Sequence, residues 1–526
     1  MTDITAQDLM ARLESTDECA LIDVREEGIF GANHILMAVS IPLSRIEVRI
    51  ADLVPRASTP ITVCDGGEGL AKRAAKLLSS FGYSDVTVLA GGVDAWGAAG
   101  YELFSGMNVP SKAFGEFVEH AYGTPSISAE ELKSIMESGR KMVVLDSRPM
   151  AEFELMNIPT GVDVPGAELV YRLHDVTPDP DTLVVVNCAG RTRSIIGAQS
   201  LINAGVPNEV VALRNGTMGW HLAGYKLEHG EHRPSPDVSE DGGRIARERA
   251  QAAADRFGVK PIDSKTLDQW REEADDRTLY ILDVRTVEEF ETGYVADSCH
   301  APGGQLVQGT DTYMATRNAR VVLVDEQEVR AQMTASWLVQ LGWTDVRVLS
   351  DGMKDQKFAA GPRKVPALGL PSVFEVSPKE ASDMLSDGEV SIVDVQPSLK
   401  YRENHIAGAW FAIRARFAED LAKVPGKLIM TSPDDTLACF AAADAALLGR
   451  DVAVLTGGTK AWEAAGLEMA MGMENLASAP EDVFMKPYDR SNRVEAEAAM
   501  NDYLTWEIAL VEQISRPGGV SFKTYA

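Results

Sequence analysis

Short apolar runs recur along the chain in a fixed cadence, separated by stretches whose apolar positions return at about every third or fourth residue. A run ending in Asp-x-Arg occurs as LIDVR with Asp23 and Arg25, as VLDSR with Asp146 and Arg148, and as ILDVR with Asp283 and Arg285. A fourth copy, IVDVQ, keeps Asp394 but carries Gln396. Five residues further on stands an aromatic ring each time: Phe30, Phe153, Phe290 and Tyr401. A second apolar run then opens into a loop whose first position reads Cys64, Cys188, Asp325 and Thr431. These stand 41, 42, 42 and 37 residues after the repeat's Asp. A third run leads to Gly92, Gly216, Gly352 and Gly458. Trp96, Trp220 and Trp462 follow their glycines by four residues, where the third copy has Gln356. The pattern is a fourfold internal repeat, which sets the architecture before any local detail does.

β-branched runs alternating with helical patterns predict parallel strands joined by crossover helices. After the first loop, Leu70, Ala74, Ala75, Leu77, Leu78 and Phe81 recur near a 3.6 period, as on an amphipathic helix. Helix starts are signalled by Ser128 with Glu131 and by Ser377 with Pro378 and Glu380. The expected fold class is α/β, with four tandem domains, each a mostly parallel central sheet flanked by helices. Clusters of Pro, Gly and polar residues place the domains at 1–108, 109–235, 236–365 and 366–475, with a tail at 476–526. RIARERAQAAADRF is expected to be a helix connecting the two halves, and DYLTWEIALVEQI a further amphipathic helix in the tail.

In each repeat the loop runs from a strand end into a helix start, where an open parallel sheet places its ligands. Several backbone N–H groups there lack a helical partner, and the helix dipole adds positive potential. A cysteine beneath such donors is a nucleophile in waiting. The second repeat fits best: Cys188, Ala189, Gly190, Arg191, Thr192, Arg193, Ser194. Gly190 lets the backbone curl, Arg191 and Arg193 bring positive charge for an anionic donor, and Ser194 is placed to cap the helix. A buried cysteine is most often only a small hydrophobe. Two arginines and a glycine within five residues of Cys188 favour the functional reading.

These units resemble rhodanese domains, and CAGRTRS resembles the active-site loop of that sulfurtransferase family. The likeness covers everything but the tail. It implies a five-stranded sheet and a reaction in which sulfane sulfur passes from a donor such as thiosulfate to Cys188, giving a persulfide. The sulfur then passes to a thiophilic acceptor, cyanide or a thiol. Residues 189–193 would supply N–H donors, Arg191 and Arg193 would bind the donor's anionic end, and Trp220 would line the wall or pack in the core. No cofactor or metal is implied, and an acceptor protein is a further candidate partner. Tandem members of the family pair an inactive first domain with an active second one. A phosphatase of related fold needs Cys-x5-Arg, whereas Arg193 closes Cys-x4-Arg, a smaller cup that suits sulfur.

The other loops depart from this pattern. CDGGEGL keeps Cys64 but puts carboxylates where the arginines stand, which raises a thiol's pKa and repels an anionic donor. Cys64 is therefore a secondary candidate only. Asp325 and Thr431 cannot form a persulfide, so the third and fourth domains are read as inactive. Three such loops in four also admit a non-catalytic scaffold or a sulfur-carrier binding protein. Cys19, Cys299 beside His300, and Cys439 are read as structural, as are the Asp-x-Arg pairs and the recurring His34 and His405.

Composition narrows the partners. Fifty Lys and Arg against 78 Asp and Glu give a net charge of −28, which disfavours nucleic acid and anionic membrane surfaces. Five scattered cysteines make no disulfide framework. The opening MTDITAQDLMARLES has neither the basic start nor the apolar run of a signal peptide, and a soluble cytoplasmic protein is expected.

Overall fold

The computed structural model describes residues 2–350, 352–520, 522–523 and 525, so the outermost residues of the predicted first domain and tail lie outside it. The chain is α/β throughout and builds four similar sheets. In the second, the strands Ser126–Ile127, Val210–Leu213, Leu183–Asn187, Met142–Asp146 and Val162–Asp163 lie side by side in that order, each parallel to its neighbours. The same spatial order holds in the other three, whose central strands are Ile61–Cys64, Arg320–Val324 and Lys427–Thr431. Leu183–Asn187 is buried along its whole length, as a strand covered by helices on both faces must be. Helix starts at Ser128 and Ser377 are capping boxes with Glu131 and Glu380.

The Asp-x-Arg signature is a structural clamp. Arg25, Arg148 and Arg285 lie bidentate on Asp23, Asp146 and Asp283, all buried, and each guanidinium also donates to a carbonyl eight residues on: Asn33, Met156 and Gly293. The strand end is thereby tied to the end of the next helix. Gln396 makes the same two connections without charge, to Asp394 and to the Asn404 carbonyl. With no cation to offset it, burial pushes the Asp394 carboxyl up to about 7. His34 and His405 stack on Phe30 and Tyr401 and bond to those residues' carbonyls, which settles them as packing groups.

Three long helices hold the units together. Glu240–Phe257, capped by Ser239, contains the predicted connecting segment and buries Ala246, Ala250, Ala253, Ala254 and Phe257. This small-residue face packs between Glu168–Val176 of the second unit and Val329–Gln340 of the third. Val109–Tyr122, which the sequence pattern did not mark, packs against both Thr192–Asn203 and the tail helix Arg493–Gln513. The third unit also lends a strand to the first: Thr316–Arg317 pairs antiparallel with Cys19–Asp23. Among the described residues, no helix is long and apolar enough to cross a membrane.

Candidate active site

Cys188 follows the last residue of the strand Leu183–Asn187, and the helix Thr192–Asn203 begins four residues later. The loop between them is pinned from below: Thr217 N–H donates to the Cys188 carbonyl at 2.9 Å and Met218 N–H to the Ala189 carbonyl at 3.0 Å. Gly216 has a φ of 53°, and a Cβ there would lie 2.2 Å from the Cys188 carbonyl oxygen. That close approach explains the glycine after the third run, and Gly352, with a φ of 61°, makes a looser one to the Glu326 carbonyl. The N–H groups of Gly190, Arg191, Thr192, Arg193 and Ser194 find no protein acceptor among the described residues. They belong to the loop that follows Cys188 and to the first turn of the helix, where the helix dipole adds to their pull on an anion.

The arginines do not sit as the sequence suggested. Arg191 turns away to Glu116 of the helix Val109–Tyr122, with bonds of 2.7 and 2.8 Å, and also pairs with Glu119; its remaining nitrogen reaches Asn215 at 3.2 Å. Arg193 lies bidentate on Glu152 at 2.8 and 2.9 Å. Burial raises the Glu152 carboxyl, but the Arg193 charge and hydrogen bonds outweigh it and bring the carboxyl down to about 2. Both guanidinium charges are therefore cancelled locally. Ser194 does not cap the helix with its side chain either. The N-cap is Arg191, and Ser194 Oγ donates to the Arg191 carbonyl at 2.8 Å, closing the turn from within. Thr192 Oγ1 donates to Glu507 at 2.6 Å. Trp220 packs in the core, with its indole N–H on the Lys226 carbonyl.

A cavity of about 250 Å³ stands over the loop. Its floor is residues 188–193. Its walls come from Lys112 on the helix between the first two units and from the tail, through Phe484, Lys486, Tyr488, Tyr503 and Glu507. The tail is thus part of the site.

The Rhodanese-like domain matches four stretches of the sequence, residues 5–99, 128–223, 264–357 and 377–465. The chain belongs to the rhodanese family of sulfurtransferases. It is similar over the full length of both chains to the crystal structure of a thiosulfate sulfurtransferase from Pseudomonas aeruginosa, at 46% identity and a TM-score of 0.96. It is also 32% identical over 110 residues to the HTH-type transcriptional regulator Rv0324 of Mycobacterium tuberculosis. That match takes in 20% of this chain and spans 47% of the regulator's length.

Strand pairing among the four rhodanese domains corrects the loop alignment. Asp146 pairs with Asn187, Asp283 with Val324, Asp394 with Thr431, and Asp23 with Cys64. Cys64 and Thr431 are thus strand residues matching Asn187, and the positions matching Cys188 are Asp65, Asp325 and Ser432. The glycines agree: Gly92 and Gly458 crowd the carbonyls of Asp65 and Ser432 as Gly216 crowds that of Cys188. Cys64 faces the core, and burial pushes its thiol well above the ordinary range. Burial likewise raises Cys19, and brings Cys299 and Cys439 up to about 11.

The residues at the Cys188 position occupy the other three loops with an oxygen. Asp65 accepts the N–H groups of Gly67, Gly69 and Ala71, each at 2.9 Å. Asp325 accepts those of Gln327 and Arg330 and pairs with the Arg330 guanidinium at 2.8 Å. Ser432 Oγ accepts the N–H of Ala438 at 3.1 Å. Each loop closes its donors on a side-chain oxygen of its own, and the Cys188 loop does not.

Proposed function

We propose that this rhodanese moves sulfane sulfur from a donor such as thiosulfate, through a persulfide on Cys188, to a thiol or cyanide acceptor. One observation carries the reading: three sibling loops bind an internal oxygen, while the N–H groups of residues 190–194 have no protein acceptor around Cys188. The Cys188 thiolate attacks the outer sulfur of thiosulfate. The sulfur–sulfur bond of the donor breaks, and sulfite leaves with the electron pair. The new terminal sulfur carries the negative charge into the ring of N–H donors, which are already oriented and need not reorganise. An acceptor thiolate then attacks that sulfur, and Cys188 departs as thiolate. The full-length likeness to a thiosulfate sulfurtransferase supports thiosulfate as the first donor to try.

The first, third and fourth domains act in this reading as structural units. The test is mass spectrometry after treatment with thiosulfate. A gain of one sulfur atom on the peptide bearing Cys188, lost in Cys188→Ser with the fold retained, is the expected result. No gain with thiosulfate, an organic persulfide or 3-mercaptopyruvate would overturn it and leave a non-catalytic scaffold.

A further inference from the structure

Four basic side chains line the cavity over Cys188: Lys112, Arg191, Arg193 and Lys486. A donor with a sulfonate end needs one of them to face it with its charge unspent. Arg191 is consumed by Glu116 and Glu119, and Arg193 by Glu152. Lys486 is exposed, at the rim. Lys112 is half-buried and forms no salt bridge among the described residues. Its ammonium donates to the Tyr503 hydroxyl at 2.7 Å; burial works against its charge, and the Glu507 carboxylate nearby supports it. An ammonium has three donors, so two remain for a ligand. Tyr503 belongs to the tail helix and is fixed against the loop: a Cβ at Gly190 would lie 3.2 Å from its ring. Its hydroxyl is also within 3.5 Å of Glu507, the carboxylate that holds Thr192.

We propose that Lys112, clamped by Tyr503 of the C-terminal helix, binds the anionic end of the sulfur donor, the task the sequence assigned to Arg191 and Arg193. The inference rests on the sulfur transfer proposed above and names its donor as a small anion. A half-buried ammonium whose neighbouring carboxylate, Glu507, stands outside salt-bridge distance keeps an unmet part of its charge, and an entering anion meets it, so affinity and discrimination come from the same group. The tail helix then acts as a positioning element, holding Lys112 through the Tyr503 hydroxyl.

The experiment compares two donors on the full chain: thiosulfate, read as one sulfur added to Cys188 with sulfite released and as steady-state kcat and KM, and an uncharged organic trisulfide RS–S–SR, read as the RSS adduct left on Cys188 when its thiolate attacks the central sulfur and RS− departs. Lys112→Met is expected to raise the KM for thiosulfate at least tenfold, more than it lowers kcat. It should also shift the loading ratio of thiosulfate to trisulfide by at least tenfold against thiosulfate. Lys112→Arg, which keeps the charge, should recover most of that ratio, and Tyr503→Phe should lose a few-fold. An unchanged KM, or equal losses with both donors, would overturn the assignment. Failure of the unaltered protein to load Cys188 from either donor would sink the underlying sulfur transfer instead.

Discussion

Asp65 offers the most direct check on the idea that the loop is built around an anion. Asp65→Ala removes the acceptor on which the N–H groups of Gly67, Gly69 and Ala71 converge at 2.9 Å. Bonds to a charged group contribute about 1.5–3 kcal/mol each, and a donor left buried loses the most. Gly67 is exposed and Gly69 half-exposed, so both amides rehydrate, whereas Ala71 is buried. The net loss should therefore be about 3 kcal/mol rather than three full bonds. Since about 1.4 kcal/mol is a factor of ten, amide exchange at Ala71 should speed up roughly a hundredfold. Cys188→Ala is the control. Its loop N–H groups have no protein acceptor to lose, so its stability should fall by less than about 1 kcal/mol. Exchange mass spectrometry and denaturant unfolding measure both variants. Wild-type protection in Asp65→Ala, or an equal loss in Cys188→Ala, would refute the reasoning.

Two further outcomes follow from buried charge elsewhere. Burial pushes the Glu26 carboxyl from its ordinary 4.5 up to about 7, so the folded state holds a proton that the unfolded chain releases. Stability should fall as pH rises from about 4.5 to 7. Glu26→Gln should match the unaltered protein at pH 4 and exceed it at pH 8 by roughly 3 kcal/mol, as pH-dependent unfolding would show; equal stabilities at pH 8 contradict this. Arg330 is fully buried and joins Asp325 of its own loop to Glu168 of the second domain at 2.8 and 3.0 Å. Arg330→Met strands those carboxylates and should cost about 3–5 kcal/mol, with proteolysis appearing first between the second and third domains.

The repeat, the parallel sheets, the connecting helix and the loop around Cys188 were all legible, because apolar period and turn chemistry are local. The register of the loops was not. Cys64 stands 41 residues after Asp23 while Cys188 stands 42 after Asp146, and that single residue separates a strand position from the loop. Only backbone pairing distinguishes them, since one residue of slip turns a side chain to the other face. The arginines misled for a different reason. Their positive charge suited an anion, but Glu116 and Glu119 lie more than 70 residues earlier, on a helix hidden behind a Pro-containing boundary. Glu116 and Glu119, three apart and so on one helix face, were the available signal. The tail showed its helix but not its docking place, because Lys112 and Tyr503 meet across 391 positions of sequence.

The strand that the third domain lends to the first bears on how the chain is made. Thr316 pairs with Ala20, and Val39–Ser40 covers only Ile22–Asp23 of that edge, so its Cys19–Ala20 end stays unpaired until roughly 300 more residues have been synthesised. At about 5–20 residues per second that is a wait of roughly 15–60 s, during which an open strand edge is a template for pairing with other nascent chains. The first domain therefore completes its sheet only after the second domain has left the ribosome, and folding runs out of order with translation. A fragment ending after the second domain keeps Cys188 and its loop but leaves the Cys19–Ala20 end of that edge bare. Such a fragment is a poor minimal enzyme for reasons of assembly, whatever its chemistry.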